Sequence, residues 1–243
     1  MKNLAWMAAV AVILALGMIG SAALVSKLFV SIKHEKEISV KGYAERDVVS
    51  DVGRFICSYS SRKSTLVEAY KDLQAQKQAV LKYLKDKGIK AEEMEVREID
   101  TTKLYLKDAD GNNTNAIQYY QASQRIWLTS ENVGLIREIS REITELIKDG
   151  IDIYACSPDF YVSDLKAVKV ALLAEATEDG YKRAQTLASK SGGAVGRLRS
   201  ASQGVFQITE PNSTRTSGYG VYDTSTIEKT VKAVVTLEYS IER

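Results

Sequence analysis

The chain has 243 residues, of which 45% are hydrophobic and 26% are charged, and it contains only two prolines. This composition is typical of a folded protein and excludes a disordered or collagen-like chain. The charge is balanced, because 33 basic and 31 acidic side chains give a formal net charge of +2. No concentrated basic face is evident, so we expect no nucleic-acid partner.

The first thirty residues contain a long uncharged run from Leu4 to Ser26. A membrane-spanning helix needs roughly 20 apolar residues, whereas the apolar core of a cleavable signal has about 7 to 15. The length therefore favours an uncleaved signal-anchor over residues 1–30, followed by a connector over residues 31–37. Small residues from Gly20 to Ala23 leave signal cleavage open, and the alternative is a secreted protein.

Residues 38–243 are predicted to form one α+β domain. Alternating polar and apolar residues predict strands over Ile38–Tyr43 and Val48–Ser60. A helix follows from an N-cap at Ser64 and ends at Gly88. Its apolar stripe, interrupted by one lysine, repeats at steps of four and three residues. The stripe contains Leu66, Tyr70, Leu73, Lys77, Val80 and Leu84.

The next two strands are predicted over Glu93–Leu106 and Ile117–Thr129. The polar loop between them is typical of a long hairpin connection, so we expect antiparallel pairing. Ser130 is the predicted N-cap of a second helix, which ends at Gly150 and leads into a strand over Ile151–Tyr161. The order is β-α-β twice. It predicts a split β-α-β, ferredoxin-like sheet, antiparallel or mixed, with helices packed on one face.

The last third of the chain predicts a helix and two strands. The helix covers about Ser163–Ser191, and Gly180 near its middle is a position where it can bend. The strands cover Ala194–Ile208 and Thr230–Ile241. The segment Glu210–Thr226 between them is too long for a tight turn, so we expect it to be either mobile or ordered by a partner.

Residues that carry most enzyme chemistry are scarce. The one histidine, His34, lies in the connector, so a catalytic triad, a histidine-rich zinc site or an imidazole base is not expected. The glycine run at 192–196 follows a helix and precedes a strand, which is the reverse of a phosphate loop. Asp108, Asp110 and Asn112 lack the remaining ligands of an EF-hand loop. We expect no catalytic, cofactor-binding or metal-binding residues.

Cys57 and Cys156 fall in predicted strands, one in each β-α-β half. In an exported domain they are candidates for a disulfide that closes a loop of about 100 residues, worth about 4 to 5 kcal/mol in the chain-entropy model. Two buried thiols are equally compatible with the sequence. The separation of the two cysteines along the chain does not decide between a disulfide and two thiols, since a disulfide requires Cα atoms within about 7 Å.

Tyrosine is unusually frequent, with 13 residues against four phenylalanines. This ratio fits half-exposed sheet faces or an oligomer surface better than a deep apolar core. Tyr119 and Tyr120 in the hairpin, and Tyr219 and Tyr222 in the long loop, are the candidates for partner contact. Scattered surface tyrosines are the alternative.

Three segments resemble the SIMPL-domain family of bacterial envelope proteins. Ile38–Ala44 is similar to the family's opening Val-x-Gly-x-Gly/Ala motif, with Tyr43 and Ala44 at its last positions. The alanine-rich helix Tyr181–Ala188 runs into a glycine run and a strand, and Val231–Tyr239 is similar to the closing strand. The resemblance implies an exported or envelope-associated protein, often self-associating and linked in broad terms to stress tolerance. It supplies no catalytic residues.

The side of the membrane on which we place the C-terminal domain follows from this resemblance and not from the distribution of charge. One lysine precedes the apolar run and four follow it, so the positive-inside rule alone would keep the domain in the cytoplasm. Long following domains often translocate regardless of nearby charge. We therefore expect a single-pass inner-membrane protein whose C-terminal domain is periplasmic. The lysines are Lys2, and then Lys27, Lys33, Lys36 and Lys41.

The leading hypothesis is a membrane-anchored, extracytoplasmic scaffold or interaction protein. We expect it to be homo-oligomeric, to act through its surface without bond chemistry, and to need no cofactor. The alternative is an extracytoplasmic domain that binds or hydrolyses a small ligand between the sheet and the segment Glu210–Thr226. A domain that faces the cytoplasm is a third possibility.

Overall fold

The computed structural model describes residues 16–22, 26, 37–155 and 157–242. The chain divides into two compact units, and the dividing points fall inside three of its helices and strands. The first unit comprises Met1–Ala44, Leu173–Gly204 and Ala233–Arg243, and the second comprises Glu45–Leu172 and Val205–Lys232.

The described residues form the α+β fold that the sequence predicts, with one antiparallel and one mixed sheet. Short 3-10 segments follow the first helix at Ala91–Glu93 and the second helix at Ile143–Asp149. The strands and helices in chain order are β1 (Glu37–Val49), β2 (Val52–Lys63), α1 (Leu66–Asp86), β3 (Met94–Lys107), β4 (Asn113–Ser130), α2 (Val133–Glu142), β5 (Asp152–Ala155), β6 (Asp159–Tyr161), α3 (Leu165–Lys190), β7 (Ala194–Gln203), β8 (Gln207–Thr209), β9 (Val221–Tyr222) and β10 (Glu228–Glu242).

The second unit is built on an antiparallel sheet in the order β3-β4-β2-β5, with β6 also paired to β2. β4 lies between β2 and β3, and β2 lies between β4 and β5. Both β-α-β segments are therefore split, because each pair of strands joined by a helix has another strand inserted between them. Hydrogen bonding between β2 and β4 is continuous from Gly53 to Lys63.

Helices α1 and α2 cover one face of this sheet. Odd-numbered residues of β2 and even-numbered residues of β4 point toward the helices, as expected for side chains that alternate along a strand. They pack with apolar residues of both helices in one core. The core includes Phe55, Cys57, Tyr59, Leu73, Val80, Leu84, Ala122, Ile126, Leu128, Ile136 and Ile139.

The buried stripe of α1 differs from the predicted one. Leu66 and Tyr70 are 42% and 50% exposed, while Ala69 and Gln76 are buried instead. The amide nitrogen of Gln76 donates to the carboxylate of Asp72 at 2.9 Å, while its amide oxygen is buried without a hydrogen-bond partner. The predicted stripe was wrong at its N-terminal end, since a small residue and a hydrogen-bonded polar residue occupy the packed positions.

The ends of several elements differ from the predicted ones for local hydrogen-bonding reasons. Thr65, and not Ser64, caps α1, because its hydroxyl accepts from the Glu68 amide at 3.3 Å. Asn132, and not Ser130, caps α2. The strand predicted over Ala194–Ile208 is two strands, β7 and β8, separated at Gly204.

The first unit contains the opening residues of β1, most of α3, and β7 paired antiparallel with β10. α3 is a continuous helix through Gly180. A Cβ on Gly180 would lie 2.8 Å from Leu237 Cδ1, and a Cβ on Gly42 would overlap the carbonyl oxygen of Ala176. The two glycines therefore let β1 and α3 approach closely, which explains the glycine of the opening motif.

The predicted membrane anchor falls mostly outside the described residues. Residues 16–22 are helical, and the connector over residues 31–37 is described only at Glu37. Within the parts of the chain that the structure describes, no helix is long and apolar enough to cross a membrane.

Candidate functional site

The β3–β4 hairpin extends beyond the rest of its sheet. The last pair that joins β2 to β4 is Lys63 with Tyr120, whereas β3 and β4 remain paired as far as Lys107 with Asn113. Residues 104–119 therefore form a two-stranded ribbon, and we call this ribbon, together with the Lys103–Tyr120 pair at its base, the arm. Its turn is stabilised locally, because the carboxylate of Asp108 accepts from the amides of Asp110 at 3.0 Å and Asn112 at 2.9 Å.

The arm exposes large apolar side chains on both of its sides. No residue from 101 to 120 is buried, and Ile117 and Tyr119 are 38% and 44% exposed. An isolated two-stranded hairpin is at best marginally stable in water, since it lacks a covered hydrophobic face. Contiguous exposed apolar surface commonly marks an interaction site. The apolar residues of the arm are Leu104, Tyr105, Leu106, Ile117, Tyr119 and Tyr120.

A second exposed apolar surface lies at the start of α1. Leu66, Val67 and Tyr70 are all exposed, and we call them the α1 turn surface. Leu66 is three residues after Lys63, the β2 residue at the base of the arm, so it lies within about 11 Å of that base. Both surfaces are therefore at the same end of the sheet.

Two carboxylates lie beside the α1 turn surface. Hydrogen bonds from the hydroxyls of Thr65 and Ser64 lower the pKa of Glu68, whose side chain is exposed. The Ser61 hydroxyl, at 2.6 Å, lowers the pKa of Asp72, and Lys63 lies 3.5 Å from that carboxylate. Both groups are ionised at neutral pH, and with Lys63 and Lys71 in the same stretch this end of α1 carries charges of both signs.

The four predicted contact tyrosines occupy two different elements. Tyr119 and Tyr120 are on the arm, but they point to opposite sides of it, because neighbouring strand residues alternate. Tyr219 is fully exposed in the long loop, and Tyr222 lies in β9 with its ring 6.3 Å from that of Tyr161. Of the four, Tyr120 also packs against the core.

The long segment Glu210–Thr226 is ordered by contacts within the chain. The side chain of Gln207 donates to the Ser217 carbonyl at 2.8 Å and accepts from the Ser217 amide at 3.2 Å. β9 pairs parallel with β8. Lys232 donates to the carbonyl of Ser213 at 2.6 Å. These contacts hold the loop against β8 and β10 of its own chain.

A buried ion pair closes the loop. Lys229 is fully buried, lies 3.6 Å from Asp223 and donates to the carbonyl of Thr226 at 2.5 Å. Burial lowers the pKa of Lys229, although Asp223 opposes this. Burial alone would raise the pKa of Asp223, but hydrogen bonds from Thr226 and Ser225 and the nearby ammonium lower it to about 2. The contact between Lys229 and Asp223 fixes the end of the loop.

Sequence reasoning did not single out Lys229, although the pattern contained a signal. Val231, Ala233, Val235 and Leu237 occupy every second position of β10 and are buried. Lys229 has the same parity, so it lies on the face that the strand buries. A lysine at such a position requires a paired carboxylate or a hydrogen-bond acceptor in the fold.

The predicted disulfide remains a prediction. Cys57 is buried and pairs in register with Ala155, the last residue of β5. Cys156 lies outside the described residues.

One cleft of the second unit is lined by several carboxylates. It has a volume of about 650 Å³, and Lys90, Glu92, Glu93, Ser130 and Glu131 are among its lining residues. The carboxylate of Glu93 accepts from the Ser130 hydroxyl at 2.6 Å and from the Lys90 amide at 2.8 Å. Burial would raise the pKa of Glu93, but these bonds lower it. Among the described residues, no three His, Cys, Asp or Glu side chains are grouped to hold a metal ion.

Comparison with protein families identifies the domain. The SIMPL family, described as a protein of unknown function (DUF541), matches residues 38–239. The chain belongs to this family. The SIMPL match includes the whole arm, the α1 turn surface and Lys229. A comparison with curated proteins finds no match.

Proposed function

We propose that this SIMPL-family chain is an interaction protein of the bacterial envelope that assembles with copies of itself. The arm carries the proposal, because it places apolar side chains on a ribbon that the helices of its own unit leave uncovered. Its exposed apolar surface is suited to binding a protein partner.

Membrane anchoring and export are part of the same proposal. The apolar run from Leu4 to Ser26 has the length of a bilayer span. The SIMPL resemblance supports a periplasmic domain on a single-pass anchor of the inner membrane, and a role in envelope or stress tolerance. Signal cleavage with secretion is the alternative for this segment.

The arm has the composition of a protein interface. Such interfaces are enriched in tyrosine, and their energy is concentrated in a few buried aromatic and apolar residues. Burying apolar surface yields about 25 cal/mol per Å². The four exposed apolar side chains of the arm, Tyr105, Leu106, Ile117 and Tyr119, supply the apolar centre of the proposed interface, and the lysines and the acidic turn of the arm supply a polar rim.

Light scattering coupled to size exclusion tests self-association of the full chain in detergent. We expect a mass that is a multiple of the chain mass after subtraction of the detergent. The triple variant Tyr105→Ser, Ile117→Ser, Tyr119→Ser should elute as a single chain with unchanged circular dichroism. Val170→Ser, which changes an exposed apolar residue of α3, is the matched control and should keep the wild-type mass. A wild-type monomer at high concentration would refute self-association.

A second candidate function is binding of a small polar ligand on the sheet face opposite the helices. A shallow cleft of about 300 Å³ lies there, lined by the hydroxyls of Ser58 and Ser123, the charged groups of Asp100 and Arg125, and the ring of Tyr154. A ligand that binds only the folded state raises the melting temperature. A metabolite screen in which no compound raises it, at concentrations up to the millimolar range, would exclude this function.

Thiol labelling in cells tests the location of the domain. If it is exported and disulfide-bonded, Cys57 and Cys156 should react only after denaturation together with reduction. Reaction after denaturation alone would exclude the disulfide, and protease accessibility in intact spheroplasts would then decide the side of the membrane.

A further inference from the structure

The shallow cleft of about 300 Å³ lies on the face of the β3-β4-β2-β5 sheet opposite α1 and α2. The strand register arranges the side chains of this area in two rows across the sheet. The first row contains, from β5 to β3, Asp152, Ser60, Ser123 and Asp100. The second row contains, from β5 to β4, Tyr154, Ser58 and Arg125. Adjacent strands are about 4.8 Å apart, so neighbouring groups of a row are close enough to contact one small ligand together.

Three serines form the floor of the cleft. Ser58, Ser60 and Ser123 have the shortest side chains of the two rows, and larger side chains stand on both sides of them. The Ser60 hydroxyl donates to Asp152 at 2.8 Å, whereas within the described residues no hydrogen bond engages the hydroxyls of Ser58 and Ser123. The floor therefore offers a ligand two hydroxyls that both donate and accept hydrogen bonds.

The charges around the cleft balance one another. Arg125 lies 3.6 Å from Asp100, and the side chains of both are more than half exposed. Arg62 and Asp152 add one charge of each sign nearby. A phosphate or an ammonium group would meet no excess of opposite charge, which favours a neutral ligand. Gln121 adds an amide nitrogen as a donor, because its carbonyl oxygen already accepts from Arg62 at 2.9 Å.

Tyr154 gives the cleft an apolar side. It is 51% exposed, and its hydroxyl donates to Asp152 at 3.4 Å. A pyranose ring has C–H groups on its faces, which pack on an aromatic ring, and hydroxyls at its edge, which bond to carboxylate, guanidinium and amide groups. The cleft is at the lower end of ligand pockets, which range from about 300 to 1,000 Å³, so it suits a single ring. We propose that it binds one neutral pyranose, an assignment that rests on the second candidate function above and names its ligand class.

Saturation-transfer difference NMR tests this proposal with the methyl pyranosides of glucose, galactose, mannose and N-acetylglucosamine. The full chain is studied in a detergent without a sugar head group, because such a head group would compete. We expect at least one sugar to bind with a saturable signal in the millimolar range. Tyr154→Ala and Arg125→Ala should each weaken binding by about tenfold, since one removes the aromatic face and the other a hydrogen-bond donor. Tyr219→Ala, which removes a fully exposed tyrosine outside the cleft, is the matched control and should bind like the wild type.

Failure of all four sugars to bind would overturn the proposal, as would wild-type affinity in Tyr154→Ala. The melting temperatures of the metabolite screen separate this failure from that of the second candidate function. If the sugars fail but another class of metabolite raises the melting temperature, the ligand class is wrong and ligand binding stands. If no compound of either set raises it, both fail.

Discussion

The two halves of the β3–β4 hairpin belong to the same two strands but have different surroundings. In the base, Ile126 and Leu128 are fully buried beneath α1 and α2, whereas Ile117 in the arm is 38% exposed. The difference follows from length. α1 has 21 residues and spans about 32 Å, while β4 has 18 residues and spans about 60 Å. A strand that is longer than its covering helix must project, and the comparison teaches that the projecting half is available for contact.

The largest expected effect is on the free energy of unfolding, when the same residue type, isoleucine, is replaced in the base and in the arm of β4. Ile126→Ala removes a fully buried side chain and should lower the free energy of unfolding by about 2 to 5 kcal/mol. Ile117→Ala should lower it by less than about 0.5 kcal/mol for the isolated chain. Urea denaturation at a protein concentration below the association range measures both. Equal losses for the two variants would show that the arm is packed like the base.

A smaller effect distinguishes the polar residues of the two halves. Gln124 is buried, accepts from the Tyr59 hydroxyl at 2.7 Å and donates to the Arg97 carbonyl at 2.6 Å. Gln124→Ala leaves both partners unsatisfied and should cost about 1 to 3 kcal/mol. Gln118→Ala, at an exposed position of the same strand, is the matched control and should be neutral. If Gln124→Ala left the free energy of unfolding unchanged, this would contradict the burial of Gln124 in the base of the hairpin.

The smallest effect is a pH dependence of the free energy of unfolding. It tests whether water is excluded from the core in the base of the hairpin. Burial raises the pKa of the Tyr59 phenol above its ordinary value of about 10. A raised folded-state pKa contributes stability that is complete below about pH 10 and is lost as the pH rises through the folded pKa. The free energy of unfolding should therefore fall above about pH 10, by at most about 1.4 kcal/mol per pH unit for this proton.

Tyr59→Phe supplies the control for this titration. Its unfolding free energy should be lower than that of the wild type at pH 8, because Gln124 loses its donor, and should fall less steeply between pH 10 and 11. Parallel curves for the two proteins would mean that water reaches Tyr59 and that the base is open.

The order of elements could be predicted from the sequence because each element has a strong local pattern. Alternation identified the strands, and the helix-to-strand signals at Gly88 and Gly150 gave the split β-α-β order. The buried face of α1 was harder to predict, because Ala69 is too small to register as core and Gln76 is polar and bonds to Asp72. Apolar periodicity alone selected Leu66 and Tyr70, which the structure leaves exposed.

The candidate surface was only partly predictable. Tyr119 and Tyr120 were chosen from tyrosine frequency, but the arm to which they belong depends on where β2 stops, and this is fixed by tertiary pairing with β4. Lys229 was missed, although its parity in β10 marks it as buried. The extent of the arm requires knowledge of which strands become neighbours, and periodicity in a single segment does not contain it. For Lys229 the segment shows the buried parity but not the partner, Asp223.

Site-specific photo-crosslinking in intact cell membranes tests most directly whether the arm contacts a second copy. Benzoylphenylalanine replaces Ile117 in the arm or, as a matched control, the exposed Ile147 outside it. We predict an adduct of twice the chain mass from position 117, containing only peptides of this chain, and none from position 147. An arm adduct with a different protein, or equal yields from the two positions, would contradict self-association through the arm.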